Sequence, residues 1–398
     1  MPSLSEECSV SRNLRLLIYQ GLIALIGTIL ILASGCSGGS GSGAVSVTPS
    51  PTYFVMAYTD GQDPQSYTNL QSFHQNLNAV ALGSAYGLLS DGTLDLTGLT
   101  PTTSSIISFS KSNNLPVYAT VSDYSNAIGG FDPNIILTVA ATAASRNNAA
   151  ANLVNLAVNN GFSGIDLDIE KVGMEAGGPT TQDTSNFTAF VTVLADALHA
   201  KGLNLIESIP PSNGSPSFSW LSGYNYAALG AVVDYLQVMT YDEAGPGWSS
   251  SPSGMWPGPV SGLDWMNGII AYMVTQVPSN KILLGLPTYA YDFSSGNQVT
   301  WAPDVNRSSL GFNGFIAANK ATTYFDASSS TPYATWGTVI PQVGSFSSQT
   351  AQPAIWYDTP ASITAKTNLV SKYKLGGTGV WAMGYEDASF WAALNAGL

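Results

Sequence analysis

The stretch Gly161-Phe162-Ser163-Gly164-Ile165-Asp166-Leu167-Asp168-Ile169-Glu170 decides how the chain is read. Asp166, Asp168 and Glu170 alternate with Ile165, Leu167 and Ile169. A strand turns successive side chains to opposite faces, so the three acids share one face and the three aliphatics the other. Acids two residues apart stand roughly 6.6–7 Å apart along a strand. Carboxylates so placed repel one another, and burial raises the cost of ionising them. Only 9% of the chain is Asp, Glu, Lys or Arg, so three acids in one short strand are a poor device for solubility. From this stretch alone three readings stand open: a catalytic acid with carboxylate helpers at the mouth of a barrel, a half-exposed edge strand with a solvated acidic face, or a metal site.

Strand-like and helix-like segments alternate on both sides of it. Strand patterns fall at 53–58, 78–86, 116–122, 161–170, 203–210, 232–241, 281–287 and 378–383. Helical patterns fall at 64–76, 103–112, about 132–160, 186–201, 219–231, 263–277, 362–373 and 387–395. Eight strands alternating with helices predict an α/β fold, a closed (β/α)8 TIM barrel, with the active site at the C-terminal ends of the strands. The segment 292–357 is rich in Ser, Thr, Asn and aromatics and too long for an ordinary loop, so it is expected to form a small inserted lobe between the seventh and eighth strands.

Bulk properties narrow the function. The 398 residues carry a net charge of −13, and the twelve Lys and Arg are scattered, which argues against nucleic acid as a partner. Cys8 and Cys36 both precede residue 40, so the rest of the chain has no disulfide and no cysteine-bound metal. His74 and His199 lie far from the acidic stretch and read as structural or surface residues, which disfavours a Ser/His/Asp hydrolase and a zinc hydrolase. No metal and no cofactor is implied.

The first residues read as targeting. Arg12 and Arg15 precede an apolar run from Leu16 to Ala33, the layout of an export signal or a membrane anchor. The sequence Leu32-Ala33-Ser34-Gly35-Cys36 resembles a bacterial lipoprotein signal, which would make Cys36 the lipid-bearing residue. Ser37 follows that cysteine, which does not resemble an inner-membrane retention signal. The organisation expected is 1–36 signal or anchor, 37–51 Gly/Ser/Pro tether and 52–398 barrel. The chain is then exported to a bacterial envelope as a membrane-anchored or secreted protein, and as a monomer.

Four stretches in order resemble glycoside hydrolase family 18, the chitinase family. Its catalytic signature is written Asp-Gly-x-Asp-x-Asp-x-Glu. Here Asp166, Asp168 and Glu170 are kept, Ser163 stands at the first Asp, and Ile169 stands where many members have an aromatic. Gln237-Val238-Met239-Thr240-Tyr241-Asp242, the run 281–287 with Tyr289, and Gly379-Val380-Trp381-Ala382 resemble the sixth, seventh and eighth strands. The style is closer to the branch with spore-wall hydrolases than to large insect and plant chitinases. The resemblance implies a retaining glycosidase acting next to N-acetylglucosamine in chitin or peptidoglycan-like glycans. The sugar's own acetamido group replaces the second carboxylate of ordinary retaining enzymes. It implies Glu170 as acid and base, Asp168 on the acetamido N–H, Asp166 behind it, and Tyr241 on the acetamido oxygen. Gln237, Met239 and Asp242 bind near the reacting sugar, and Trp381 lies under it. Plain packing or strand-end roles are the alternative for these supporting residues. Trp248 and Trp256 are candidates for stacking on further sugars, whereas Tyr58 and Tyr118 read as packing. A non-catalytic sugar-binding relative is the alternative for the whole chain; such relatives lose the final Glu, which is kept here.

Overall fold

The structure is a computed structural model that describes residues 53–172, 178–215, 223–245, 257–293, 297–300, 311–338, 340–341, 350–351 and 353–398. The signal, its Cys36 and the whole tether lie outside the described residues, as do Trp248 and Trp256.

Eight parallel strands close on themselves. They are β1 (Phe54–Asp60), β2 (Ala79–Leu88), β3 (Val117–Ser122), β4 (Gly164–Asp168), β5 (Asn204–Ile209), β6 (Tyr235–Val238), β7 (Ile282–Pro287) and β8 (Gly377–Trp381). Each pairs with its sequence neighbour, and β8 pairs with β1 to complete the ring. The β4 register sets Thr120 beside Asp166 and Ser122 beside Asp168 on one flank, and Ser208 beside Asp168 on the other. A strand paired on both sides is no edge, so the edge-strand reading of the acidic stretch is overturned. The strand also stops at Asp168, and Glu170 stands two residues past its end rather than on it.

Helices α1 (Pro64–Phe73), α2 (Pro101–Ser112), α3 (Pro133–Ala140), α4 (Ala143–Asn160), α5 (Thr181–His199), α6 (Tyr226–Val232) and α7 (Leu263–Gln276) lie between the strands. After the lobe helix α8 (Gly311–Asn319) come α9 (Pro360–Tyr373) and α10 (Ala388–Gly397). The single helix expected over about 132–160 is two, because Thr142 starts a new helix: its hydroxyl accepts from the Ser145 backbone N–H. The same reciprocal capping at Thr100, Thr180 and Thr359 starts α2, α5 and α9 earlier than their apolar periodicity does. Gly161 ends α4 at φ 60°, a left-handed turn that glycine enters without a Cβ clash, and the chain passes into β4.

Two layers of core follow from strand alternation. Ile165, Leu167 and Ile169 face outward and join a buried cluster with Leu153 and Ala157 of α4 and Phe187, Phe190 and Leu194 of α5. Truncating one such side chain to Ala costs about 2–5 kcal/mol. The barrel interior holds a second cluster of Met56, Tyr58, Ala79, Ala81, Tyr118, Ile206 and Leu283. Between β7 and β8 the strands Tyr289–Asp292, Asn297–Thr300, Thr322–Asp326, Thr331–Thr335 and Ala354–Trp356 form a separate antiparallel sheet, the inserted lobe. No helix among the described residues is long and apolar enough to cross a membrane.

Candidate active site

The acidic residues sit where β4 opens at the C-terminal end of the barrel, and they sit in three different environments. Asp166 points inward and is fully buried. Thr120 Oγ1 and Ser208 Oγ each donate to it at 2.8 Å. Ser208 spends its proton on Asp166, so the Tyr58 hydroxyl at 2.8 Å donates to Ser208 in turn. Burial raises the Asp166 carboxyl, the hydroxyl donors pull it back, and it titrates at about 6.

Asp168 is one step nearer the opening and half-buried. Its Oδ1 has no hydrogen-bond partner. Burial, then Glu170, Asp166 and Asp123, push its carboxyl well above the ordinary range. Glu170, beyond the strand end, keeps partial exposure. Burial raises it first, then the charges of Asp242 and Asp123, against a small lowering by Lys171, to about 8. At neutral pH the protonated form of Glu170 therefore predominates, as a general acid requires.

Strands β6 and β8 bring the remaining residues to the same opening. The Tyr241 ring is buried and lies 6.5 Å from the Tyr289 ring. Burial and then the charges of Asp168, Glu170 and Asp242 push its hydroxyl well above the usual phenol range, so it remains a donor. Gln237 is fully buried, its amide makes no hydrogen bond of ordinary geometry, and it lies close enough to Tyr241 to favour that hydroxyl's ionised form. A buried amide left open in this way is a feature that a polar ligand can satisfy. Met239 packs with Tyr241, Val260 and Tyr289. Asp242 adopts φ 59° and accepts from the Tyr289 hydroxyl at 2.5 Å and the Tyr291 hydroxyl at 3.0 Å. Trp381, half-buried, tilts against Tyr58 at 5.2 Å. A Cβ on Gly83 would come within 3.1 Å of that indole, so the missing side chain on β2 makes room for it.

Asp168 and Trp381 border a cavity of about 690 Å³ that is also lined by Thr120, Ser122, Tyr124 and Phe131. Tyr124–Ser125 and Gly130–Phe131 pair as a short hairpin after β3. Among the described residues, no three His, Cys, Asp or Glu side chains are arranged as a metal ligand set. His74 bonds its own helix end, and His199 meets Asp234 at 2.9 Å on the outside.

The eight site residues expected from the sequence lie on β4, β6 and β8 or just past their ends, and of them Asp168 and Trp381 line the cavity. Tyr58 packs in the barrel interior as its reading expects, and its hydroxyl in addition completes the donor chain to Asp166. Thr120 and Ser208 were missed; a polar residue at an inward strand position is the signal that finds them, shared with Ser122 on β3 and Asn204 on β5. Asp123 and Glu207 were missed as well.

Comparison with known proteins now bears on this geometry. Residues 108–386 match the glycosyl hydrolases family 18. The chain belongs to that family. It is a glycoside hydrolase of the chitinase type. A class V chitinase from Pseudomonas fluorescens Pf-5 is 49% identical, with a TM-score of 0.77 over 87% of this chain and 99% of that one. A chitinase from Chromobacterium violaceum ATCC 12472 is 34% identical, with a TM-score of 0.73 over 87% and 98%. The uncharacterized glycosylase YvbX of Bacillus subtilis (strain 168) is 27% identical over 86% of this chain and 91% of its own length. Family 18 relatives also include a cortical fragment-lytic enzyme of the same organism, 25% identical over 59% of this chain and 49% of that protein.

Proposed function

We propose that the chain hydrolyses β-1,4 bonds next to N-acetylglucosamine with retention, using the sugar's own acetamido group. The observation that carries this reading is the grading of the three acids. Asp166 is saturated with hydroxyl donors, Asp168 keeps an oxygen without a partner, and Glu170 holds its proton up to about pH 8. One carboxyl is thus a fixed support, one an open acceptor and one a proton donor.

Glu170 gives its proton to the glycosidic oxygen as that bond breaks. The acetamido carbonyl of the sugar on the non-reducing side attacks its own anomeric carbon and forms an oxazolinium ring. Asp168 accepts the acetamido N–H and steadies the positive ring, with Asp166 behind it sharing the charge of the pair. Tyr241 donates to the acetamido oxygen and holds it in line for attack. Water then opens the ring from the face the leaving group occupied, with Glu170 as base, so two inversions give retention. Gln237 and Asp242 bind near the reacting sugar, Met239 packs beside it, and Trp381 is its apolar floor.

The identity to solved chitinases supports chitin-type glycans as the substrate class; the spore-wall relatives keep peptidoglycan on the panel. The test is hydrolysis of chitin oligosaccharides, peptidoglycan and high-mannose glycans by wild type and Glu170→Gln. Cleavage of at least one N-acetylglucosamine glycan, lost in the variant, is expected; equal rates in the variant would sink the mechanism. We further propose export with Cys36 as a lipid anchor, for which Cys36→Ala should move the protein from the membrane to the soluble fraction. A variant that stays membrane-bound would instead favour an uncleaved helix.

A further inference from the structure

The lobe sheet carries one aromatic ring on each of four neighbouring strands, and the strand register lines them up. Tyr291 stands opposite Trp356, Trp356 opposite Tyr333, and Tyr333 opposite Tyr324. Residues directly opposite share a face of the sheet, so the four rings form a ladder across it. The other face is filled by Ala290, Ala334 and Ile355, against Phe315 and Ile316 of α8. The ladder begins at the active site, where the Tyr291 hydroxyl donates to Asp242 at 3.0 Å. Trp356 is buried, with Tyr291 and Tyr333 packed against it. Tyr333 stacks on Trp356 at 4.4 Å and 16°, and Tyr324 on Tyr333 at 5.2 Å and 21°. Three strand steps of about 4.8 Å carry the row roughly 14 Å from Tyr291 to Tyr324. None of the four rings lines the cavity beside Asp168 and Trp381, so the ladder is surface additional to it.

A cross-strand stack of this kind is ordinary packing at its inner end, where Trp356 is covered. The outer end is different. Tyr324 is 48% exposed and its neighbour Phe325 62%. Their strand, Thr322–Asp326, is the last of the lobe sheet among the described residues. Edge strands are ordinarily blunted by Lys, Pro or a bulge. The run Thr322-Thr323-Tyr324-Phe325 has no charge and no proline, and it pairs with Thr331–Thr335 without a register shift. Tyr324 lays one ring face on Tyr333, and no described strand lies beyond its other face.

We propose that the ladder is an outlying track for a β-1,4-linked chitin chain held at the active site, with Tyr324 as its exposed stacking platform. This rests on the reading of the site as one that takes N-acetylglucosamine glycans. A pyranose with equatorial substituents presents two C–H faces that an open aromatic ring matches, while the phenol hydroxyl meets the polar rim of the sugar. Continuity with Asp242 names the occupant, because a chain that enters the site is the polymer placed to reach the end of the row. Charge narrows the choice further. The chain carries a net charge of −13, Asp326 closes the Tyr324 strand, and Lys320 is the one basic residue described in the lobe. An uncharged chitin chain is therefore favoured over the anionic strands of peptidoglycan.

The test is adsorption to chitin beads and to peptidoglycan, measured in a Glu170→Gln background, beside hydrolysis of an aryl glycoside of the N-acetylglucosamine disaccharide by the active chain. Tyr324→Ala should weaken adsorption to chitin by about 5–10-fold. It should leave kcat/KM on the disaccharide in place, since that substrate is too short to span from Asp242 to Tyr324. Tyr324→Trp keeps a ring and should adsorb as well as the unaltered chain. Unchanged chitin adsorption in Tyr324→Ala, or a Trp variant as weak as the Ala variant, overturns the proposal. An equal loss on the disaccharide would make Tyr324 a folding residue and would contradict it. Stronger adsorption to peptidoglycan than to chitin, lost in Tyr324→Ala, would overturn the choice of chitin. A dimer in sedimentation that Tyr324→Ala dissolves would give this edge to a second copy of the chain and overturn the track. Adsorption needs no turnover. A wild type that hydrolyses neither glycan but adsorbs through Tyr324 refutes the proposed function alone, and an active wild type whose adsorption ignores Tyr324→Ala refutes this inference alone.

Discussion

Asp166 inside the barrel and Asp123 at the β3–β4 seam are equally hidden from water, but their surroundings differ. Asp166 takes two hydroxyl donors with a third behind them and titrates at about 6. Burial raises the Asp123 carboxyl to about 7; it takes no side-chain donor, and only backbone N–H groups and the Lys171 charge act to lower it. Burial raises both, and hydroxyl donors pull Asp166 back where Asp123 has only backbone N–H groups and Lys171 to do so. In the proposed mechanism the interior position carries the charge that meets the oxazolinium. The seam position is built to be reluctant. Between them stand Asp168 and Glu170, to which the proposed mechanism gives the acetamido group and the proton.

The largest way to break this comparison is to remove the proton donor itself. Glu170→Gln should lower kcat on an N-acetylglucosamine oligosaccharide by about 10²–10⁴-fold, with KM changed little. A variant that lost binding instead would make Glu170 a contact residue and the grading of acids irrelevant.

Loosening the interior support should cost less. Tyr58→Phe deletes the hydroxyl behind Ser208, so Ser208 remains on Asp166 but loses its own donor. A fall in kcat of roughly 5–10-fold is expected, in line with about 1 kcal/mol for one hydrogen bond. Ser208→Ala removes a direct donor and should cost more than Tyr58→Phe. The reverse order in steady-state kinetics would mean that the chain of hydroxyls does not run through Ser208.

The smallest effect is on stability. Asp123, Asp166 and Glu170 have ordinary values of 3.8, 3.8 and 4.5 and folded values of about 7, 6 and 8. A raised acid favours the fold fully below its unfolded value and loses that favour as pH climbs to its folded value. Thermal unfolding should therefore show Tm falling as pH rises from about 4 to 8. Asp123→Asn should recover part of the loss at pH 8 and little at pH 5. An equal gain at both would detach the effect from ionisation.

Much of the barrel was legible because its signals are local. Alternation over Ile165 to Glu170 needs only a strand, and the acids, Tyr241 and Trp381 are carried by short motifs. What was not legible depends on register. Nothing in the run 116–122 says that Thr120 will stand beside Asp166, and nothing near Glu207 says that its outward position is buried. Strand ends were misjudged for a related reason: the pattern continues through Glu170, but pairing with β3 and β5 ends at Asp168. Helix starts were late where periodicity was followed instead of the Thr caps.

The central claim is that the acetamido group attacks and Asp168 holds it. Binding of a thiazoline mimic of the cyclised N-acetylglucosamine, measured by calorimetry on wild type and Asp168→Asn, tests it most directly. The account predicts tight binding to wild type and a loss of about 10²-fold or more in the variant; absence of binding to wild type, or equal binding to both, would contradict it.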